Sequence, residues 1–167
     1  MRHLLAVVFA LSSSVSYAQT CAKLVAPNPA PLSVTGPPGS GYFRYKIAEG
    51  SIAGGPSIDE LAAEFYSSQT GAFNLAAGNN SNYATCDQCI GFSRDYTVAA
   101  QFKFFFQSAG GLSISQPPGT NPLQLTFSTV RLVEVTLDPN TFVSTPVPGG
   151  ECYDLVADPL FRSGFDG

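Results

Sequence analysis

From Tyr42 to Cys152 the chain is a series of short apolar runs cut by Gly, Pro, Asn and Ser. That punctuation limits the fold more than any other feature. Phe43, Tyr45 and Ile47 alternate with Arg44 and Lys46, the period of a half-buried strand. Leu123, Leu125 and Phe127 repeat the pattern. Val133, Val135 and Leu137 then share one face against Leu132, Glu134 and Thr136 on the other. Eight or nine such strands, with turns every 8–12 residues, predict an all-β chain built as an antiparallel β-sandwich of jelly-roll type. No strand–helix alternation supports an α/β arrangement.

Some segments are readable in detail. Gly50 to Pro56 is a turn. Residues 57–66 fit two conformations. Ser57 and Glu60 have the spacing of a helical capping box, with Ile58, Leu61, Ala62, Phe65 and Tyr66 at helical intervals, which gives one short helix. Leu61, Ala63 and Phe65 also alternate as a strand, and Gln69-Thr70-Gly71 leading into Ala72-Phe73-Asn74-Leu75 suggests a hairpin. Phe102 to Phe106 reads as a central strand with Phe102, Phe104 and Phe106 on one face, and Lys103 as a charge that blunts aggregation. Thr141-Phe142-Val143-Ser144 reads as the last strand.

Cys21, Cys86, Cys89 and Cys152 are the four cysteines. An even count suits two disulfides in an exported chain, with three possible pairings. Cys86–Cys89 with Cys21–Cys152 is favoured, because the second bridge joins the two ends of the domain. Zinc is disfavoured, since Cys21 and Cys152 lack partners at short spacing. Redox chemistry at Cys86-Asp87-Gln88-Cys89 wants a helix N-terminus, whereas Asn79-Asn80-Ser81-Asn82-Tyr83 reads as a loop entering a strand.

The N-terminus has the layout of a secretory signal peptide over residues 1–18. Arg2 and His3 precede the apolar run Leu4 to Leu11, and cleavage is expected between Ala18 and Gln19, after Ser16-Tyr17-Ala18. The run is too short for a bilayer span of roughly 20 residues. Lipid attachment at Cys21 is disfavoured, because Ala18-Gln19-Thr20 lacks an upstream lipobox Leu. The organisation expected is a signal peptide (1–18), a Pro/Gly-rich arm (19–41), a β-sandwich domain (42–157) and a C-terminal tail (158–167). Loss of Arg2 leaves seven basic against twelve acidic residues, a net of −5. So acidic a chain has no electrostatic footprint for nucleic acid, nor a basic helix for anionic lipid.

Histidine usage excludes whole reaction classes. His3 is the only one, and it lies within the signal segment. The processed chain therefore offers no Ser–His–Asp or Cys–His arrangement and no His-based metal site. No Gly-rich phosphate loop with a Lys is present, and no cofactor is expected. Paired carboxylates remain, drawn from Glu60, Glu64, Glu134 and Asp138, although solvated surface acids are the plainer reading. Asp154 and Asp158 lack the Asp-x-Asp-x-Asp context of a calcium loop. Tyr42, Tyr45, Tyr83 and Tyr96 are candidates for stacking against a ligand, with core packing as the alternative. Asn79-Asn80-Ser81 matches a glycosylation acceptor.

Several stretches carry a resemblance: Asn82-Tyr83-Ala84-Thr85-Cys86-Asp87-Gln88-Cys89, Phe105-Phe106-Gln107-Ser108-Ala109-Gly110, Val130-Arg131-Leu132-Val133-Glu134-Val135-Thr136, and Ser144-Thr145-Pro146-Val147-Pro148-Gly149-Gly150-Glu151-Cys152. Over roughly residues 42–155 the chain resembles uncharacterised exported proteins of myxobacteria, which share a Thr-Cys-x-x-Cys segment, an aromatic strand and a late Gly-Gly-x-Cys. The resemblance implies a bacterial, exported, β-rich domain and brings no catalytic residue with it. Many of the proteins it resembles carry a further cysteine near the aromatic strand, where this chain has Ala100 and Gln101. The expectation is a secreted, periplasmic or surface-held protein without enzymatic activity: a surface, matrix or adhesion component binding protein or glycan. The alternative is a carboxylate-based polysaccharide hydrolase.

Overall fold

The computed structural model describes residues 20–26, 42–55, 57–120, 123 and 125–157. The signal segment with its cleavage site at Ala18 and Gln19, most of the expected arm, and the tail 158–167 lie outside the described residues. The described residues form nine strands: β1 (Ala22–Ala26), β2 (Phe43–Gly50), β3 (Asp59–Phe65), β4 (Gly71–Asn74), β5 (Gln88–Arg94), β6 (Lys103–Ile114), β7 (Leu125–Leu137), β8 (Ser144–Pro146) and β9 (Cys152–Ala157). One 3₁₀ turn, Gly78–Ser81, precedes the Cys86–Cys89 segment. Among the described residues there is no α-helix. Residues 59–65 are a strand, so the helical reading of 57–66 is corrected: the Leu61, Ala63, Phe65 alternation buries one face, and tertiary pairing overrides the capping-box signal.

The strands make one continuous curled sheet, a half-barrel in the order β1-β9-β7-β6-β5-β3-β2, where the sequence suggested two packed sheets. The cause lies in β6 and β7, which run for 12 and 13 residues and each serve two partners on their far edges. β6 pairs with β5 along Lys103–Phe106 and with β4 along Gly111–Ile114. β7 pairs with β9 along Arg131–Val133 and with β8 along Val135–Leu137. Between the two halves of β6 its register with β7 slips around Ala109. Gly110 there has φ +104°, and a Cβ on it would lie 2.5 Å from Val130 Cα. Opposite, Thr129 takes φ +47°. Such irregularities bend a strand and raise its twist, so one sheet folds around its own core.

Several local expectations change accordingly. β4 pairs with β6, so the hairpin expected between β3 and β4 does not form; β3 lies between β2 and β5. The two strands expected over 123–137 merge into β7. The last strand is β9, and part of the expected arm becomes β1, the sheet's parallel pair with β9, burying Leu24. Phe102 is exposed ahead of β6 and lines one outer-face hollow with Phe104 and Val135, while Phe104 and Phe106 pack in the cluster on that face.

One face holds the main core, including Tyr45, Leu61, Phe65, Phe92, Phe105 and Leu132. The Tyr45 hydroxyl receives Gly119 N–H at 2.6 Å and faces Thr120 O at 3.2 Å, drawing the β6–β7 loop over this core beside β2. The opposite face carries a smaller cluster of Cys86, Cys89, Phe106 and Val135, with Tyr83 and Phe104 against it. The segment from the 3₁₀ turn to Cys89 covers that second face.

Candidate functional site

The outer face of β2–β3 is organised by Glu64. Arg44 stands directly opposite it in the antiparallel register, and its Nε donates to Glu64 Oε1 at 3.1 Å. The same guanidinium also binds Glu60, four residues earlier on that face of β3. Tyr42 donates to Glu64 Oε1 at 2.9 Å and Tyr83 to Oε2 at 3.0 Å. Burial, then the adjacent Glu64 carboxylate, pushes both phenols well above their ordinary range. The space between Arg44, Glu60, Glu64 and Tyr83 is about 20 Å³, room for a single water.

Beyond Tyr83 the surface opens into a groove of about 520 Å³. Three segments line it: Tyr66 after β3, Tyr83 to Asp87, and Thr141-Phe142 in the β7–β8 turn. Tyr66 is 49% exposed and Phe142 56% exposed. The walls are tied together by hydrogen bonds. Tyr66 N–H donates to Asp87 O at 2.9 Å. Asn82 and Tyr83 exchange bonds with Ser144: Asn82 Nδ2 to Ser144 O at 3.0 Å, Tyr83 N–H to Ser144 Oγ at 3.0 Å, and Ser144 N–H to Asn82 Oδ1 at 3.2 Å. Asp138 Oδ1 receives Asn140 N–H, Thr141 N–H and the Thr141 hydroxyl, which depresses its pKa and fixes the turn. Tyr83 is clamped edge-on to both Phe104 and Phe106.

A buried amide network holds the Cys86 segment from beneath. Asn80 Oδ1 receives the N–H groups of Asp87 and Gln88, while its Nδ2 donates to Gln88 Oε1. Gln107 Oε1 receives Ile90 N–H at 2.6 Å, and its Nε2 donates to Asn80 O at 2.8 Å and Gln88 O at 2.9 Å. Gln88 and Ile90 precede the first β5–β6 rung, Gly91 opposite Phe106. Side-chain amides therefore supply the bonds that the ladder has not yet reached. Cys86 and Cys89 stand at disulfide distance within this segment, as do Cys21 and Cys152 across the β1–β9 pair.

The structure separates most of the residues singled out from sequence. Tyr42 and Tyr83 meet at Glu64; Tyr45 is in the core on the other face; Tyr96 donates to Glu49 at 2.7 Å. The four tyrosines form no common platform. Glu60 and Glu64 share Arg44, Glu134 pairs with Lys103, and Asp138 sits in its turn. Asp154 pairs with Arg131, and Asp158 lies outside the described residues. Asn79 is exposed on the 3₁₀ turn and donates to Asp87. The sequence pattern does not single out Tyr66, Thr141 and Phe142, which line the groove. Their signal is weak, because Thr141-Phe142 reads as part of an apolar strand. Among the described residues no helix is long and apolar enough to cross a membrane, and no group of His, Cys, Asp or Glu is placed to hold a metal. Comparison with protein-family models, curated proteins and solved structures gives no match.

Proposed function

We propose that this chain is an exported binding domain, a surface, matrix or adhesion component that recognises its partner through the groove between Tyr66, Tyr83 and Phe142. The observation that carries the reading is the contrast between two neighbouring sites. In the groove, exposed aromatic rings stand on hydrogen-bonded walls. Beside it, the acids that a hydrolase would use share one guanidinium around a space too small for a sugar ring. A concave surface with aromatic and polar groups is the usual form of a ligand site. Export is supported by the signal-peptide pattern and by the pairing of all four cysteines.

The experiment is adhesion of the labelled, disulfide-bonded protein to isolated cell envelopes and extracellular matrix. Retention is expected, with a marked loss in the Tyr66→Ala/Phe142→Ala double variant. Equal retention of the double variant and the parent would refute the reading.

A further inference from the structure

We propose that the groove takes an uncharged oligosaccharide, with pyranose rings stacked on Tyr66 and Phe142. This rests on the binding reading above and names its ligand class. Three observations support it. First, none of the described residues lining the groove is basic, so phosphate, sulfate and carboxylate groups would find no counter-charge. Second, the lining alternates apolar rings with Thr85, Thr141 and Asp87. Asp87 Oδ2 holds a bond from Asn79 at 3.2 Å, and a carboxylate has capacity for further donors such as sugar hydroxyls. Rings facing C–H surfaces, with acceptors at the rim, match a molecule that is apolar on its faces and hydroxylated on its edges.

Third, Phe142 has φ +58°, a conformation costly for a bulky side chain and easy for Asn or Gly. The turn would close equally well with either, since its bonds come from Asp138 and the Phe142 backbone N–H. A strained residue that also turns its ring to solvent does nothing for the core. Strain held in place by a satisfied turn is the mark of a preorganised contact, and it presents the ring at a fixed angle.

The test uses Phe142→Asn, which suits the left-handed backbone and removes the ring, together with Tyr66→Ala; Tyr96→Ala, away from the groove, is the control. Cellohexaose, chitohexaose, xylohexaose and maltohexaose are titrated by NMR up to millimolar concentration, with polygalacturonate as the anionic probe. At least one neutral hexasaccharide is expected to bind saturably, about tenfold or more weaker to Phe142→Asn and to Tyr66→Ala, and unchanged with Tyr96→Ala. Phe142→Asn is expected to raise the urea midpoint at the same time, which separates lost binding from lost folding. Absence of binding to every neutral hexasaccharide, binding that survives Phe142→Asn, or preference for polygalacturonate overturns the inference. If envelope adhesion still depends on the groove in that case, the saccharide is discarded and the binding domain stands. If adhesion is also indifferent to the groove, both fall.

Discussion

Gln107 is the side chain whose loss should be felt most widely. Replacing it by Met keeps length and volume but removes every hydrogen bond it makes. Three buried backbone groups then lose their partner: Ile90 N–H, Asn80 C=O and Gln88 C=O. Each unpaired group costs about 1–3 kcal/mol, and the two carbonyls sit on a segment that can loosen, so Gln107→Met should cost about 3–5 kcal/mol. Against a total of about 5–15 kcal/mol for a domain, that is a large share. The chain contains no Trp, so urea unfolding is followed by far-UV circular dichroism and Tyr fluorescence. Hydrogen exchange at the Ile90 amide reports the same contact locally and should accelerate even under native conditions. A loss below about 1 kcal/mol, with Ile90 still protected, would refute the idea that this side chain stands in for missing sheet rungs. Gln107→Glu gives a second reading. Burial raises its folded-state pKa, so the variant should be most stable at low pH and lose stability as pH rises through that value.

Other expected outcomes follow from separate regions. Removing the Cys21–Cys152 bridge, a separation of 131 residues, should cost up to about 5 kcal/mol by the chain-entropy relation, against about 2 for Cys86–Cys89; urea midpoints of the paired Cys→Ser variants check the order. Arg94 and Lys103 hold the Glu151 carboxyl at about 2, below its ordinary 4.5. Its contribution is therefore complete above pH 4.5 and lost as pH falls towards 2. Because Glu151 is 47% exposed, that contribution is about 1 kcal/mol, and Glu151→Gln should flatten this part of the acid-unfolding curve. Gly110→Ala should cost about 3 kcal/mol or more, read from the thermal midpoint, since the new Cβ meets Val130 backbone at a φ that disfavours Ala.

The strands were legible wherever one face is buried, because period-two alternation is a direct image of that burial. Phe43, Tyr45 and Ile47, or Leu61, Ala63 and Phe65, show it plainly. Pairing order was much less legible. Nothing local in Ala72-Phe73-Asn74 says that its partner is Gly111–Ser113, far along the chain. Nor do Gly110 and Thr129 announce that one long strand will turn a corner where two short ones seemed natural. At the site, sequence drew attention to tyrosines by type, whereas what matters is which face and loop each occupies. Tyr45 and Tyr42, three residues apart, end on opposite sides of the sheet. Phe142 was hidden because exposure and a positive φ leave no periodic trace.

The parallel pairing of β1 with β9 has a consequence for the order of folding. Synthesis proceeds from the N-terminus, and domains that pair neighbours can settle as they emerge. Here Leu24 belongs beside Leu155, so the earliest of these strands to be made has no partner until the latest is complete. Until β1 docks, the outer edge of β9 stays open and Cys21 and Cys152 stay unjoined. The first strand made thus cannot dock before the last has been made, and the seam between them joins the two ends of the described chain.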